Sequence, residues 1–276
     1  MAAALNDLSR LCVHTLTTKP WSLAECVRNF SVAGIRGITV WRNVLEGIAL
    51  KDAKQMLADS GMDVVSLARG GFFPALEKGK RQAAIDDNLW AIEQAAGIGA
   101  PVVVLVCGAD GRQPLEKSRE QIMEGILRIL PAAESAGVKL AIEPLHPMYA
   151  ADRSAIVTLG QANQMVEDIN SLLVGVAVDV YHLWWDNNLQ HEIMRCGSNG
   201  HLFAFHVCDW NVPTVDFLND RGLMGDGCIN VPQIRGWVED AGFSGYCEVE
   251  VFSDKYWASD QKEYLEKIKN AYLKNT

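Results

Sequence analysis

Short apolar runs rich in Val, Ile and Leu alternate along this chain with longer stretches whose apolar positions recur at helical spacing. The runs are Leu11–Thr15, Gly37–Trp41, Asp63–Ala68, Pro101–Cys107, Lys139–Glu143, Gly175–Asp179, Leu202–His206 and Tyr246–Glu250. Their nearly continuous apolar character is that of strands covered on both faces. The intervening pattern predicts helices over Ser22–Ala33, Ala49–Ser60, Leu76–Ala96, Pro114–Ala136, Leu159–Ile169, Leu189–Cys196, Val231–Ala241 and Ser259–Lys274. Ser22 reads as an N-terminal cap, and Gly34, Gly61, Gly97 and Gly137 read as C-terminal stops. The phrases Ala33-Gly34-Ile35, Ser60-Gly61-Met62, Ala136-Gly137-Val138 and Ala241-Gly242-Phe243 each mark a helix handing over to a strand.

Eight strand–helix units in 276 residues predict an α/β fold, a single (β/α)8 TIM barrel filling one domain over residues 1–276. An open doubly wound sheet is the alternative, but no G-x-G-x-x-G follows the first strand to support its dinucleotide-binding form. No Pro-, Gly- or Ser-rich linker and no shift of composition divides the chain.

Four of the runs end in a polar residue: Glu143, Asp179, His206 and Glu250. In a barrel the C-terminal ends of the strands form the catalytic rim, so these side chains are predicted to converge. Three carboxylates and one imidazole suit a hard divalent cation. A salt bridge or a loop cap is the alternative for any one of them; their equivalent placement in four successive units favours metal. Glu248 shares a face with Glu250, since strand side chains alternate, and lies one layer deeper as a supporting residue.

Composition narrows the chemistry. The net charge of −9, with no basic cluster, argues against a nucleic-acid backbone as partner. No apolar run is long enough to span a membrane. Seven scattered cysteines without a C-x-x-C pair, and no basic-then-apolar leader, suggest reduced thiols in a cytoplasm.

The motifs Ile142-Glu143-Pro144-Leu145, Val178-Asp179-Val180-Tyr181-His182, Phe205-His206-Val207-Cys208-Asp209 and Val249-Glu250-Val251-Phe252 resemble the metal motifs of the xylose-isomerase-like barrel superfamily. They are most similar to those of its sugar isomerase/epimerase branch, which includes ketose 3-epimerases and 3-keto-glycoside-modifying enzymes. Gly225-Asp226-Gly227 also resembles a loop of that branch. The resemblance covers essentially the whole chain and is more specific for the superfamily than for a substrate. It implies one divalent cation, Mn²⁺ first with Mg²⁺ or Co²⁺ as alternatives, held by Glu143, Asp179, His206 and Glu250. It also implies that Glu143 and Glu250 flank the substrate carbon as paired acid and base, working through an enediolate on a small-molecule carbohydrate.

Around that core, His182, His146, Asp209 and Arg221 are candidates for substrate contact, Asp209 alternatively orienting His206. His14, Trp41, Arg42, Arg69 and Cys107, at the ends of the first four strands, are expected to line the opposite wall. Trp184, Trp185, Trp210 and Trp257 are expected to cap the site or to build a contact in a homo-oligomer. One departure stands out: the ketose 3-epimerase pattern has an arginine shortly after the His ligand, whereas this chain reads Asp209-Trp210-Asn211-Val212-Pro213. Arg221 is the nearest substitute. A lyase or dehydratase, including one that cleaves 3-keto-glycosides, can use the same metal and base and is the alternative enzyme. A non-catalytic sugar-binding barrel is the alternative from another class. Endonuclease-IV-like repair chemistry is disfavoured, because no Asp-x-His follows His206 and strands three and four end in Arg69 and Cys107.

Overall fold

The structure, a computed structural model, describes residues 5–276. Its strands are β1 (Leu11–His14), β2 (Gly37–Trp41), β3 (Asp63–Gly71), β4 (Val102–Val106), β5 (Lys139–Glu143), β6 (Val174–Asp179), β7 (Leu202–Val207) and β8 (Cys247–Val249). All pair in parallel with their chain neighbours, and β1 pairs with β8 (Leu11 opposite Cys247), which closes the barrel. The expected (β/α)8 barrel is the observed one.

The outer helices are α1 (Leu23–Val32), α2 (Leu50–Ser60), α3 (Lys78–Ile98), α4 (Leu115–Ala136), α5 (Leu159–Ile169), α6 (Leu189–Ser198), α7 (Val231–Asp240) and α8 (Gln261–Asn275). Local chemistry sets their ends. Ser22 and Glu25 form a reciprocal capping box at α1. Asp260, not Ser259, caps α8 by accepting the amides of Lys262 and Glu263.

The expected stop before Gly97 is wrong: α3 runs on to Ile98 and ends at Gly99, which takes the left-handed conformation (φ 82°). Gly97 instead faces α2, where a Cβ would lie 3.0 Å from Leu50 Cδ1. It is a close-packing glycine, and the left-handed cap fell two residues later.

Most of the core lies between the strands and the helix ring, contributed by residues such as Ile38, Leu67, Leu105, Ile142, Val178 and Phe205. A separate cluster of Val102, Val104, Ala141, Ala177 and Ala204 holds the alternate, inward-facing strand positions. Among the described residues, no helix is long and apolar enough to cross a membrane.

β3 outruns its predicted end by three residues to Gly71, where φ is +107° and a Cβ would stand 1.9 Å from the Val106 carbonyl oxygen. Gly71→Ala is expected to cost more than about 3 kcal/mol of stability. Gly47→Ala, at φ +78° with nothing within 4 Å of the added Cβ, is expected to cost only about 1 kcal/mol. Paired thermal melts check the contrast.

Candidate metal centre and substrate cavity

Strand alternation puts Ala141 and Glu143 on one face of β5. It does the same for Ala177 and Asp179 on β6, for Ala204 and His206 on β7, and for Glu248 and Glu250 at β8. The alanines are small enough to pack with Val102 and Val104 into a dry floor. Above that floor Glu143, Asp179, His206 and Glu250 meet, all buried, with one potential ligand atom from each within 4.8 Å of the others.

The donor set fits a divalent cation. Glu143 Oε1 and both ring nitrogens of His206 are buried without a hydrogen-bond partner. His206 Nδ1 lies 2.9 Å from Glu143 Oε1, but at an angle that makes no hydrogen bond. Buried polar atoms are normally satisfied, and a cation between these donors would satisfy Glu143 Oε1 and one of the two His206 nitrogens.

A second cluster, His14, His206 and Glu248, shares His206, and its one carboxylate is already engaged. Glu248 Oε2 accepts the hydroxyls of Thr39 (2.6 Å) and Ser66 (2.9 Å). Burial works against its charge, yet the nearby His206 and His14 and the hydroxyls hold its carboxyl below the usual range. Glu248 is thus the deeper supporting residue.

His14 is fully buried between two carboxylates, with Nε2 3.4 Å from Glu248 and Nδ1 3.2 Å from Glu250. Burial lowers its pKa, but the two glutamates outweigh that and leave it raised. It was expected to line the cavity; the structure places it beneath, as a wedge under Glu250.

With protein charges alone, the centre is polarised. Burial disfavours the imidazolium of His206, but Glu248 and Glu143 override it and push the pKa up to about 10. Burial drives Asp179 up to about 7, against the pull of Arg221. Glu250 is also penalised by burial, yet Arg221 and His14 hold it well below the usual carboxylate range.

Arg221 reaches the centre by an indirect route. After β7 the chain forms a two-stranded antiparallel ribbon, Asp209–Trp210 against Arg221–Gly222, with Trp210 opposite Arg221. The arginine is buried, not loop-exposed, and its guanidinium is sandwiched between the rings of Tyr181 (4.3 Å) and Phe252 (4.5 Å). Nη1 donates to Glu250 Oε2 at 2.7 Å and lies 3.5 Å from Asp179 Oδ2. His182 is buried beside it; burial and the Arg221 charge push its pKa well down, so the ring is neutral. Its Nδ1 accepts the His146 amide (3.2 Å), which leaves the ring proton on Nε2, 3.7 Å from Asp179.

A cavity of about 40 Å³ opens above these groups, lined by Glu143, Glu250, His182 and Arg221 together with Trp41, Arg69, Tyr149, Arg153, Leu218 and Phe252. Larger grooves of about 400 and 440 Å³ lie between outer helices, but neither contains the clustered donors. The 211–220 segment borders the cavity through Leu218, and the Tyr149 and Tyr181 hydroxyls both donate to its Phe217 carbonyl, at 2.6 and 2.7 Å.

Other candidates fall elsewhere. Asp209 neither touches His206 nor lines the cavity; its carboxylate accepts the amides of Trp210, Gly225, Gly227 and Ile229. His146 packs edge-on against Trp185 and obliquely against Trp210, outside the cavity wall. Arg42 is tied to Asp87 and Gln94, and the Cys107 thiol turns back to the Leu105 carbonyl. The four tryptophans are half-buried; Trp210 stacks on Tyr181 and Trp257 donates to the Leu16 carbonyl. Tyr149, Tyr181, Arg153, Phe252 and Leu218 were not anticipated. No sequence signal marked them as cavity residues.

Residues 27–274 match the Xylose isomerase-like TIM barrel family. The chain belongs to that family. Similar proteins include an inosose isomerase of Halalkalibacterium halodurans, 24% identical over 95% of this chain and 94% of its own. The crystal structure of a Sinorhizobium meliloti 1021 protein is 43% identical, with a TM-score of 0.93 and coverage of 96% of this chain and 98% of that one. A structure of the IolI protein with a bound zinc atom has the same fold at 20% identity, with a TM-score of 0.84 and 96% of each chain covered.

In this member of the xylose-isomerase-like barrels, the Asp209 carboxylate organises the loop that delivers Arg221. Asp209→Ala leaves four amides without their acceptor, that of Ile229 buried, and is expected to cost about 1–3 kcal/mol of stability. Native-state hydrogen exchange should show lost protection at Gly225, Gly227 and Ile229 first.

Proposed function

We propose that this protein is a divalent-metal-dependent isomerase or epimerase of a keto-sugar or of a cyclic keto-polyol such as an inosose. One observation carries the reading: Glu143, Asp179, His206 and Glu250 form a four-donor cage opening into a cavity with Trp41 in its wall. Isomerases among the relatives support the reaction class. A zinc atom in the IolI structure supports a metal in this barrel.

The cation, when bound, supplies Lewis-acid polarisation of a substrate carbonyl. The rest falls to side chains. Around the barrel, β6 and β7 separate β5 from β8, so Glu143 and Glu250 approach from opposite sides of the Asp179–His206 pair. In an epimerisation, one carboxylate removes the proton α to the carbonyl and the other returns a proton to the opposite face. In an isomerisation, the proton is returned to the neighbouring carbon of the enediol. Arg221 keeps Glu250 ionised, the form a base requires, while lowering its intrinsic basicity. Neutral His182 and the Arg221 guanidinium offer N–H donors to substrate oxygens, and Trp41 and Phe252 offer apolar faces to the ring.

Glu143→Gln is expected to lower turnover at least about 10²-fold while leaving far-UV circular dichroism unchanged. Metal content measured on the same sample separates loss of a base from loss of a ligand; wild-type turnover would sink the role. Chelation is expected to abolish activity, and reconstitution to favour Mn²⁺ over Zn²⁺, because three of the four donors are carboxylates. The decisive test of the reaction is proton NMR in D₂O with inosose and free ketoses. Exchange or transfer of the α-proton is expected, and turnover without either would overturn the enediol route. A product that has lost water would reassign the enzyme as a lyase.

A further inference from the structure

Two arginines in the cavity wall, Arg69 and Arg153, take no part in that chemistry. Arg69 lies near the rim end of β3, with its guanidinium over the Phe72 ring at 4.2 Å. Arg153 lies in the turn after β5. Its backbone is pinned by the bond from its amide to the Tyr149 carbonyl (3.0 Å) and from the Gly108 amide to its own carbonyl (2.9 Å), and its side chain lies over the Tyr149 ring.

Several arginines of this chain find carboxylates, Arg10 with Glu239, Arg42 with Asp87, Arg112 with Asp110, Arg195 with Glu167 and Arg221 with Glu250, and Arg81 and Arg128 donate to uncharged oxygens. Among the described residues, neither Arg69 nor Arg153 has a carboxylate partner or donates a side-chain hydrogen bond. Their charges are close enough to oppose each other: burial, first, and then Arg153 lower the pKa of Arg69. Like charges held together on aromatic faces, with their N–H edges unspent, are unfavourable unless an anion joins them.

Of the three arginines that line the cavity, Arg221 is engaged by Glu250. Arg69 and Arg153 are the cations left available to an anionic ligand there.

We propose that Arg69 and Arg153 form an anion-binding subsite, and that the substrate is a keto-sugar acid whose carboxylate bridges them while its carbonyl end faces the four-donor cage. This rests on the keto-sugar reading above. A phosphate ester shares the recognition chemistry, and the test distinguishes the two.

The metal-loaded protein is titrated calorimetrically with 2-ketogluconate, fructose and fructose 6-phosphate. The acid is expected to bind at least about tenfold more tightly than fructose. That preference should collapse in Arg69→Met/Arg153→Met and survive in part in Arg69→Lys/Arg153→Lys, thermal melts verifying that both fold. Equal affinities for acid, phosphate ester and neutral ketose in the wild type, which need no variant, overturn the subsite; so does a preference that persists in the Met variant. A preference for fructose 6-phosphate alone upholds the subsite and overturns the carboxylate. Proton exchange is followed on the same samples. Exchange of a neutral inosose without preference for either anion sinks the subsite only, whereas anion preference without exchange of any keto-sugar sinks the catalytic reading and leaves the subsite standing.

Discussion

Four carboxylates buried within two adjacent layers of one barrel are the constraint that the rest of this structure answers. Glu143, Asp179, Glu248 and Glu250 are each no more than 4% exposed, and isolated buried charge costs several kcal/mol per ion even after relaxation. Each element near them supplies compensation: hydroxyls from β2 and β3, an imidazole each from β1 and β7, a guanidinium from the ribbon after β7. Among the atoms that none of these satisfies are Glu143 Oε1 and a His206 nitrogen, and both belong to the four-donor cage. The barrel therefore divides by labour. Its later strands present donors and its earlier strands steady them.

The route of Arg221 shows how loop structure completes a site that strands alone leave unfinished. Asp209 gathers four amides and turns the chain beyond Ile229, and the ribbon sets Arg221 opposite Trp210. Two aromatic faces then hold the guanidinium in place against Glu250. An arginine absent from the stretch after His206 thus arrives through tertiary structure rather than at a fixed sequence offset.

The barrel and its four polar strand ends were legible because strands buried on both faces leave an unmistakable apolar run, and a charged residue closing such a run has few ordinary explanations. What lay beyond was hidden for physical reasons. His14 ends a strand just as the metal candidates do, yet whether an inward side chain meets the cavity or sits under it depends on barrel tilt and stagger, which no local pattern encodes. Asp209 and Arg42 were misplaced because their partners, loop amides and Asp87, are distant in sequence. Tyr149 and Tyr181 gave no signal, since their role is a pair of hydroxyl bonds to a main-chain carbonyl. Gly97 misled because packing against Leu50, not helix termination, explains it.

The double grip on Phe217 has a consequence for how the cavity wall holds its shape. One main-chain carbonyl accepts two tyrosine hydroxyls, Tyr149 from the turn after β5 and Tyr181 from just beyond β6, so both of its lone pairs are used. Two separate walls of the barrel are thereby tied to the 211–220 segment at a single atom. Loss of either hydroxyl leaves the other bond in place, so the anchoring is redundant. The exposed Val212 and Val215 lie outside that anchor and add little packing to it.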